Sequence, residues 1–131
     1  MAQPRAILDP CLRSCKNSTG ADIAAGVFVK LSGAYPGIAL PAGATDTIYG
    51  VTTAIIKNGK FGDVQIRGVA PVVAAGVTTT LGKLTTDAAG KAVDWTAAGG
   101  RSVGGVGLAA AAGANDIIEV ELIGPAAFDI S

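Results

Sequence analysis

Two cysteines, Cys11 and Cys15, stand in the run Cys-Leu-Arg-Ser-Cys-Lys-Asn-Ser. With a third thiolate such a spacing would suit an iron–sulfur centre, but the third position is Ser18. Two thiolates alone make a poor metal site. A disulfide and two free thiols are the other readings; a disulfide requires a turn here, because an extended chain holds the sulfurs too far apart. The chain contains no histidine. That removes Ser-His-Asp and Cys-His nucleophile activation and any imidazole-ligated metal.

Other candidate groups are equally sparse. Glu119 and Glu121 lie two residues apart on one face of a predicted strand, where Asp63 and Gln65 stand at the matching place earlier in the chain. The pair reads as a solvated face, with a calcium pair or an interface with basic groups as alternatives; no Asp-rich calcium loop is present. Gly105-Val106-Gly107-Leu108-Ala109-Ala110 fits the loose dinucleotide fingerprint. That mechanism needs a following helix and a further strand. Gly113 stops any helix after one turn, so the segment reads as a glycine-broken strand where backbones pack closely. Trp95 is the one tryptophan and reads as a core or subunit-interface anchor rather than a stacking platform. No basic and aromatic residues interleave as single-strand binding requires. No catalytic residue, cofactor or metal ligand is assigned.

The elements that position these residues form a repeat. Residues 26–68 and 80–124 look like two copies of one β-rich unit. Val29-Lys30-Leu31, Tyr49-Gly50-Val51 and Asp63-Val64-Gln65-Ile66-Arg67-Gly68 are matched by Gly82-Lys83-Leu84, Gly104-Gly105-Val106 and Glu119-Val120-Glu121-Leu122-Ile123-Gly124. Repeats decide architecture before motifs do, and two matched copies imply one pseudo-symmetric body. Strands are predicted over 27–31, 37–40, 48–56, 61–69, 78–85, 91–95, 102–108 and 117–123. Asn58-Gly59 predicts a two-residue hairpin turn with both central residues at positive φ. In 61–69, Val64 and Ile66 alternate with Asp63, Gln65 and Arg67, so one face is wet. Pro71 to Gly76 is expected to break the sheet. Short strands with turns every eight to twelve residues give an all-β fold, a small β-barrel or β-sandwich. The predicted organisation is an extended N-terminal arm (1–22), a single β domain (23–124) and a C-terminal tail (125–131).

A chain of 131 residues fits one domain. Much of its hydrophobic content of 50% is alanine, and aromatics make up 5%, so a thin core is expected and partners are expected to add stability. Net charge is zero, which argues against general attraction to nucleic acid. Residues 1–60 nevertheless carry six basic groups against three acids, and residues 61–131 four against seven. That split reads as uneven sampling or as head-to-tail complementarity between subunits. No signal peptide is visible, and the longest low-polarity stretch, 103–114, is too short and too weakly hydrophobic to span a bilayer.

The segments Gly62 to Val69, Gly82-Lys83-Leu84-Thr85-Thr86-Asp87-Ala88-Ala89-Gly90-Lys91-Ala92, Val103 to Ala109 and Asp116 to Leu122 together resemble the capsid decoration (cement) proteins of tailed bacteriophages. The resemblance covers about residues 24–124 and does not include the arm. It implies a structural, non-enzymatic protein that sits on the outside of the virion capsid, clamps neighbouring copies of the major capsid protein and is made in the host cytoplasm. It is expected to be a homo-oligomer, a trimer or else a dimer, without nucleic-acid or membrane partners. Within the arm, Ile7, Leu8 and Leu12 supply apolar contacts and Arg5, Arg13 and Lys16 basic ones, a set suited to an acid-rimmed groove on the capsid. The arm is expected to be mobile in the free protein and ordered on the capsid. Trp95, Glu119 and Glu121 are the candidate subunit interface. A carbohydrate-binding or adhesion module, such as a fibre head, is the alternative.

Overall fold

A computed structural model describes residues 11–33, 35–96 and 102–123. Nine strands follow one another: β1 (Cys11–Asn17), β2 (Phe28–Leu31), β3 (Gly37–Ala39), β4 (Gly50–Thr52), β5 (Phe61–Val73), β6 (Lys83–Thr86), β7 (Ala92–Asp94), β8 (Gly105–Gly107) and β9 (Ile117–Leu122). No helix occurs among the described residues. The fold is all-β, as its short β-branched runs between Gly, Pro and Asx turns require.

The first five strands close a barrel. Their order is β1-β3-β2-β4-β5, and β5 returns to pair antiparallel with β1 from Arg67 opposite Cys11 to Phe61 opposite Lys16. The β1–β3 pair is parallel, with Asn17 opposite Ile38. Closure leaves this set of strands no free edge. The expected arm of residues 1–22 is therefore divided. Residues 11–17 are a barrel strand, while residues 1–10, with Arg5, Ile7 and Leu8, lie outside the described residues, as does the tail. Backbone pairing on both edges orders β1 despite its polar composition, because each ladder bond satisfies a backbone group that would otherwise need water. The strand is extended, so Cys11 and Cys15 lie about 13 Å apart along it, and both are free thiols.

The remaining strands repeat this connectivity. β2 lies between β3 and β4, and β4 pairs with the first half of β5. In the same way β6 lies between β7 and β8, and β8 pairs with β9. The second half of β5 takes the place of β1, pairing antiparallel with β9 from Gly68 opposite Leu122 to Val73 opposite Ile117. A parallel bridge, Ala74 to Ala92, matches the Asn17–Ile38 pair. The amide of Tyr49 donates to the Val29 carbonyl at 2.8 Å, and that of Gly104 to the Leu84 carbonyl at 2.8 Å. These bonds make Val29 equivalent to Leu84, not Leu31 to Leu84 as the sequence match suggested. Val64 and Ile66 correspond to Val120 and Leu122, as the repeat predicts.

Each half has its own core. Cys15, Ile23, Val27, Val29, Ile38, Ile56, Val64 and Ile66 fill the first. Val72, Leu84, Ala111, Ile118, Val120 and Leu122, joined by Phe28, Ile48 and Val51 from the first half, are among those filling the second. Volume is exchanged between equivalent sites. Ile56 packs where Gly62 has no side chain, whereas the matching positions hold the small Ala111 and the large Ile118. Each fully buried aliphatic side chain contributes about 1.5–3 kcal/mol.

Four local expectations are corrected. β5 runs through Pro71, which sits opposite Glu119. Residues 68–73 have one partner strand, so the missing N–H leaves no second ladder incomplete. Gln65 is buried rather than wet: its amide folds back to donate to the carbonyls of Arg67 (2.8 Å) and Val69 (3.0 Å). At the Asn-Gly turn only Gly59 has positive φ (76°). That turn is tied down from outside, by the Asn58 amide to Asp22 Oδ1 (2.9 Å) and the Gly59 amide to the Asn17 carbonyl (3.0 Å). The strand expected over 48–56 ends at Thr52, and Ile56 instead bridges Ile23.

Candidate functional site

β1 presents Leu12, Arg13 and Lys16 to solvent. Leu12 is 44% exposed, and Lys16 stands opposite Phe61, itself 59% exposed. Leu12 and Phe61 share the outer face with Lys16, Arg67 and the exposed Asp63 opposite Ser14, a face that is apolar and net basic, whereas Arg13 has the other strand parity, that of Cys15. Beneath it Cys15 is buried, and burial pushes its thiol pKa up, with Arg13 acting in the opposite direction. Asn17 anchors the end of the strand. Its Nδ2 donates to the carbonyls of Ala21 (2.7 Å) and Ile56 (2.9 Å), and its Oδ1 accepts from the amide and hydroxyl of Thr19 (2.9 and 2.7 Å).

β9 carries Glu119 and Glu121 outward, in a pattern of exposed and buried residues that alternates along the whole strand. They are flanked by Ile117, 69% exposed, and Ile123, and Val69 stands opposite Glu121. This second face is apolar and acidic. The two faces lie along one long strand, because β1 pairs with the first half of β5 and β9 with the second. Trp95 is not part of either. It follows β7 at the far end of the strand order, half-buried, with its amide donating to the Lys83 carbonyl (2.9 Å) and the Lys83 ammonium 4.7 Å from its ring centre.

Sequence reasoning misses Phe61, Val69 and Ile117. Parity is the available signal for all three: Phe61 and Val69 share the wet parity of Asp63 and Arg67, and Ile117 that of Glu119 and Glu121.

A third feature is a cleft of about 410 Å³ on the barrel, lined by Lys30, Leu31, Asp46, Thr47 and Tyr49. Lys30 Nζ meets Asp46 Oδ2 at 2.9 Å. The backbone amide of Ala42 and the Lys30 ammonium hold the Asp46 carboxyl below its ordinary pKa. Burial raises the Tyr49 phenol. Tyr35 lies against Tyr49 with ring centres 6.3 Å apart. Among the described residues no group of three or more Asp, Glu or Cys side chains is placed to hold a metal.

No curated protein sequence matches this chain. Among solved structures it is similar to the head fibre gp8.5 N base of bacteriophage phi29. The two share 16% identity with a TM-score of 0.65, over 86% of this chain and 94% of that one. That likeness is one of fold. The sequence itself matches the phage cement proteins from residue 14, inside β1, to residue 122, the last of β9, and the chain belongs to that family.

Proposed function

We propose that this structural protein of the phage virion binds the outside of an assembled capsid and bridges neighbouring capsid subunits. The observation that carries the reading is the apolar and net basic face of β1 and the start of β5, with Leu12 and Phe61 exposed beside Lys16 and Arg67 and with Arg13 exposed on the same strand. Large apolar side chains left in water at the centre of a charged rim are what a docking surface offers. Because the ligand is the assembled lattice, binding raises lattice stability by mass action. Many copies then resist internal pressure together. Residues 1–10, with Arg5, Ile7 and Leu8, extend this contact.

Copies of the protein associate on the particle through the acidic face of β9, with Glu119 and Glu121 meeting basic groups of a neighbour; Trp95, beyond β7 at the far end of the strand order, lies outside this contact. A trimer requires two different patches to meet, and opposite charge on two faces of one protomer supports that arrangement; a dimer is the alternative.

The test is co-sedimentation of the purified protein with undecorated expanded capsids, with unexpanded shells as control. The protein is expected to pellet with expanded heads. Phe61→Ser and Lys16→Glu should each weaken binding about tenfold or more, as loss of roughly 1.4 kcal/mol does. Undiminished binding by both variants would remove this face from the contact. A density map showing isolated copies would remove the oligomer.

A further inference from the structure

The cleft on the barrel has a chemistry that capsid attachment does not use. Asp46 Oδ2 accepts both from Lys30 Nζ (2.9 Å) and from the Ala42 amide (2.6 Å). Asp46 Oδ1 and the hydroxyls of Thr47 and Tyr49 make no hydrogen bond among the described residues. The ammonium of Lys30 retains two further N–H donors. The Lys30 and Asp46 side chains are 31% and 28% exposed, so they are partly desolvated yet reachable. Their charges cancel. The remaining lining, Leu31 and the Tyr49 ring, is apolar and aromatic, with Tyr35 packed beside it.

The second half of the molecule shows that this cleft is not forced by the architecture. The equivalent of Tyr49 is Gly104, and the space there is filled by side chains from the first half. A β carbon at Gly104 would lie 2.7 Å from the Phe28 ring and 3.0 Å from Ile48 Cδ1. The equivalent of Lys30 is Thr85, fully buried with its hydroxyl unpartnered. One copy of the repeat closes this place, and the other keeps it open and surrounds it with unused hydrogen-bonding groups.

We propose that the cleft formed by Lys30, Leu31, Asp46, Thr47 and Tyr49 binds a neutral pyranose unit of a glycan. A pyranose presents ring hydroxyls that both donate and accept, together with an apolar C–H face. The open carboxylate oxygen, the ammonium and the two hydroxyls meet the first requirement, and Leu31 with the Tyr49 ring the second. The Lys30–Asp46 pair gives the lining no net charge, so neither an acidic nor a basic sugar gains a net electrostatic attraction over a neutral one.

The experiment is a ¹H–¹⁵N titration of the full chain with methyl glucoside, methyl galactoside and methyl N-acetylglucosaminide, with glucuronate and glucosamine as charged probes. At least one neutral glycoside should give saturable shifts confined to residues 30–31 and 46–49. Lys30→Met and Thr47→Val should weaken that binding about tenfold, equivalent to about 1.4 kcal/mol, while their folded spectra and capsid co-sedimentation stay unchanged. No saturable shift with any neutral glycoside overturns the inference. So do shifts that survive both variants, or binding of the charged probes alone. Loss of capsid binding in both variants without sugar binding would assign the cleft to the capsid contact and overturn it equally, while the proposed role on the capsid would stand.

Discussion

Gly50 and Gly105 occupy the same place in the two halves of the molecule. Each opens its strand, β4 or β8, and each faces a backbone carbonyl, that of Gln65 or Glu121, so closely that a β carbon would collide with it and with the valine beside it, Val64 or Val120. The collision is with backbone, which has little room to give. Gly50→Ala and Gly105→Ala should each destabilise the protein by about 1–3 kcal/mol, read from the midpoint of urea unfolding. Gly43→Ala, where nothing lies within 4 Å of the added carbon, is the control and should leave the midpoint nearly unchanged.

Because β1 closes the barrel, two truncations should part company. Removing residues 2–10 leaves β1 whole, and the protein should melt cooperatively. Removing residues 2–16 takes away the antiparallel partner of Phe61–Arg67 and the buried Cys15, and no cooperative thermal transition should be seen by circular dichroism.

The Asn17 side chain satisfies four groups at once. Asn17→Ala takes the acceptor from the Thr19 amide and leaves the Ile56 carbonyl with the Ile23 amide (2.9 Å) alone, a loss of about 1–3 kcal/mol. Calorimetry should record the lower melting temperature. Ser18→Ala, whose hydroxyl makes one exposed contact of 3.4 Å, should not show it.

The two thiols should react at different rates. Cys15 is fully buried in the first core, and burial raises its pKa, which disfavours the reactive thiolate. Cys11 is half-buried. In the folded protein iodoacetamide is expected to label Cys11 first, with Cys15 labelled only as the protein unfolds; peptide mass mapping over time checks the order.

Asp46 contributes to stability with a definite sign in pH. Its folded pKa lies below the ordinary value of 3.8, through the Ala42 amide and then Lys30. The stabilisation is therefore full above the unfolded value and is lost as pH falls through the lower folded one. Wild type should exceed Asp46→Asn in unfolding free energy at pH 6, and the gap should narrow as pH falls below 3.8, measured by denaturant titration at each pH.

Much of the frame is legible in the residues alone. Period-two alternation in 117–122 puts Glu119 and Glu121 outward and Val120 and Leu122 inward, because the pleat turns successive side chains to opposite faces. The matched glycines at 50 and 105 mark a repeat, since only glycine fits where one backbone crosses close to another. The lack of histidine limits the available chemistry whatever the fold. Long-range pairing and packing account for the rest. β1 carries too little apolar pattern to announce itself; it is ordered by backbone bonds to β5 and β3, which no local pattern records. Gln65 breaks its strand's alternation by satisfying its own amide on nearby carbonyls. The cleft joins residues 30–31 to residues 46–49, segments whose nearness comes from the pairing of β2 with β4. Its openness depends on Phe28 and Ile48 turning into the other core, a choice made by packing between the two halves and written in neither half alone.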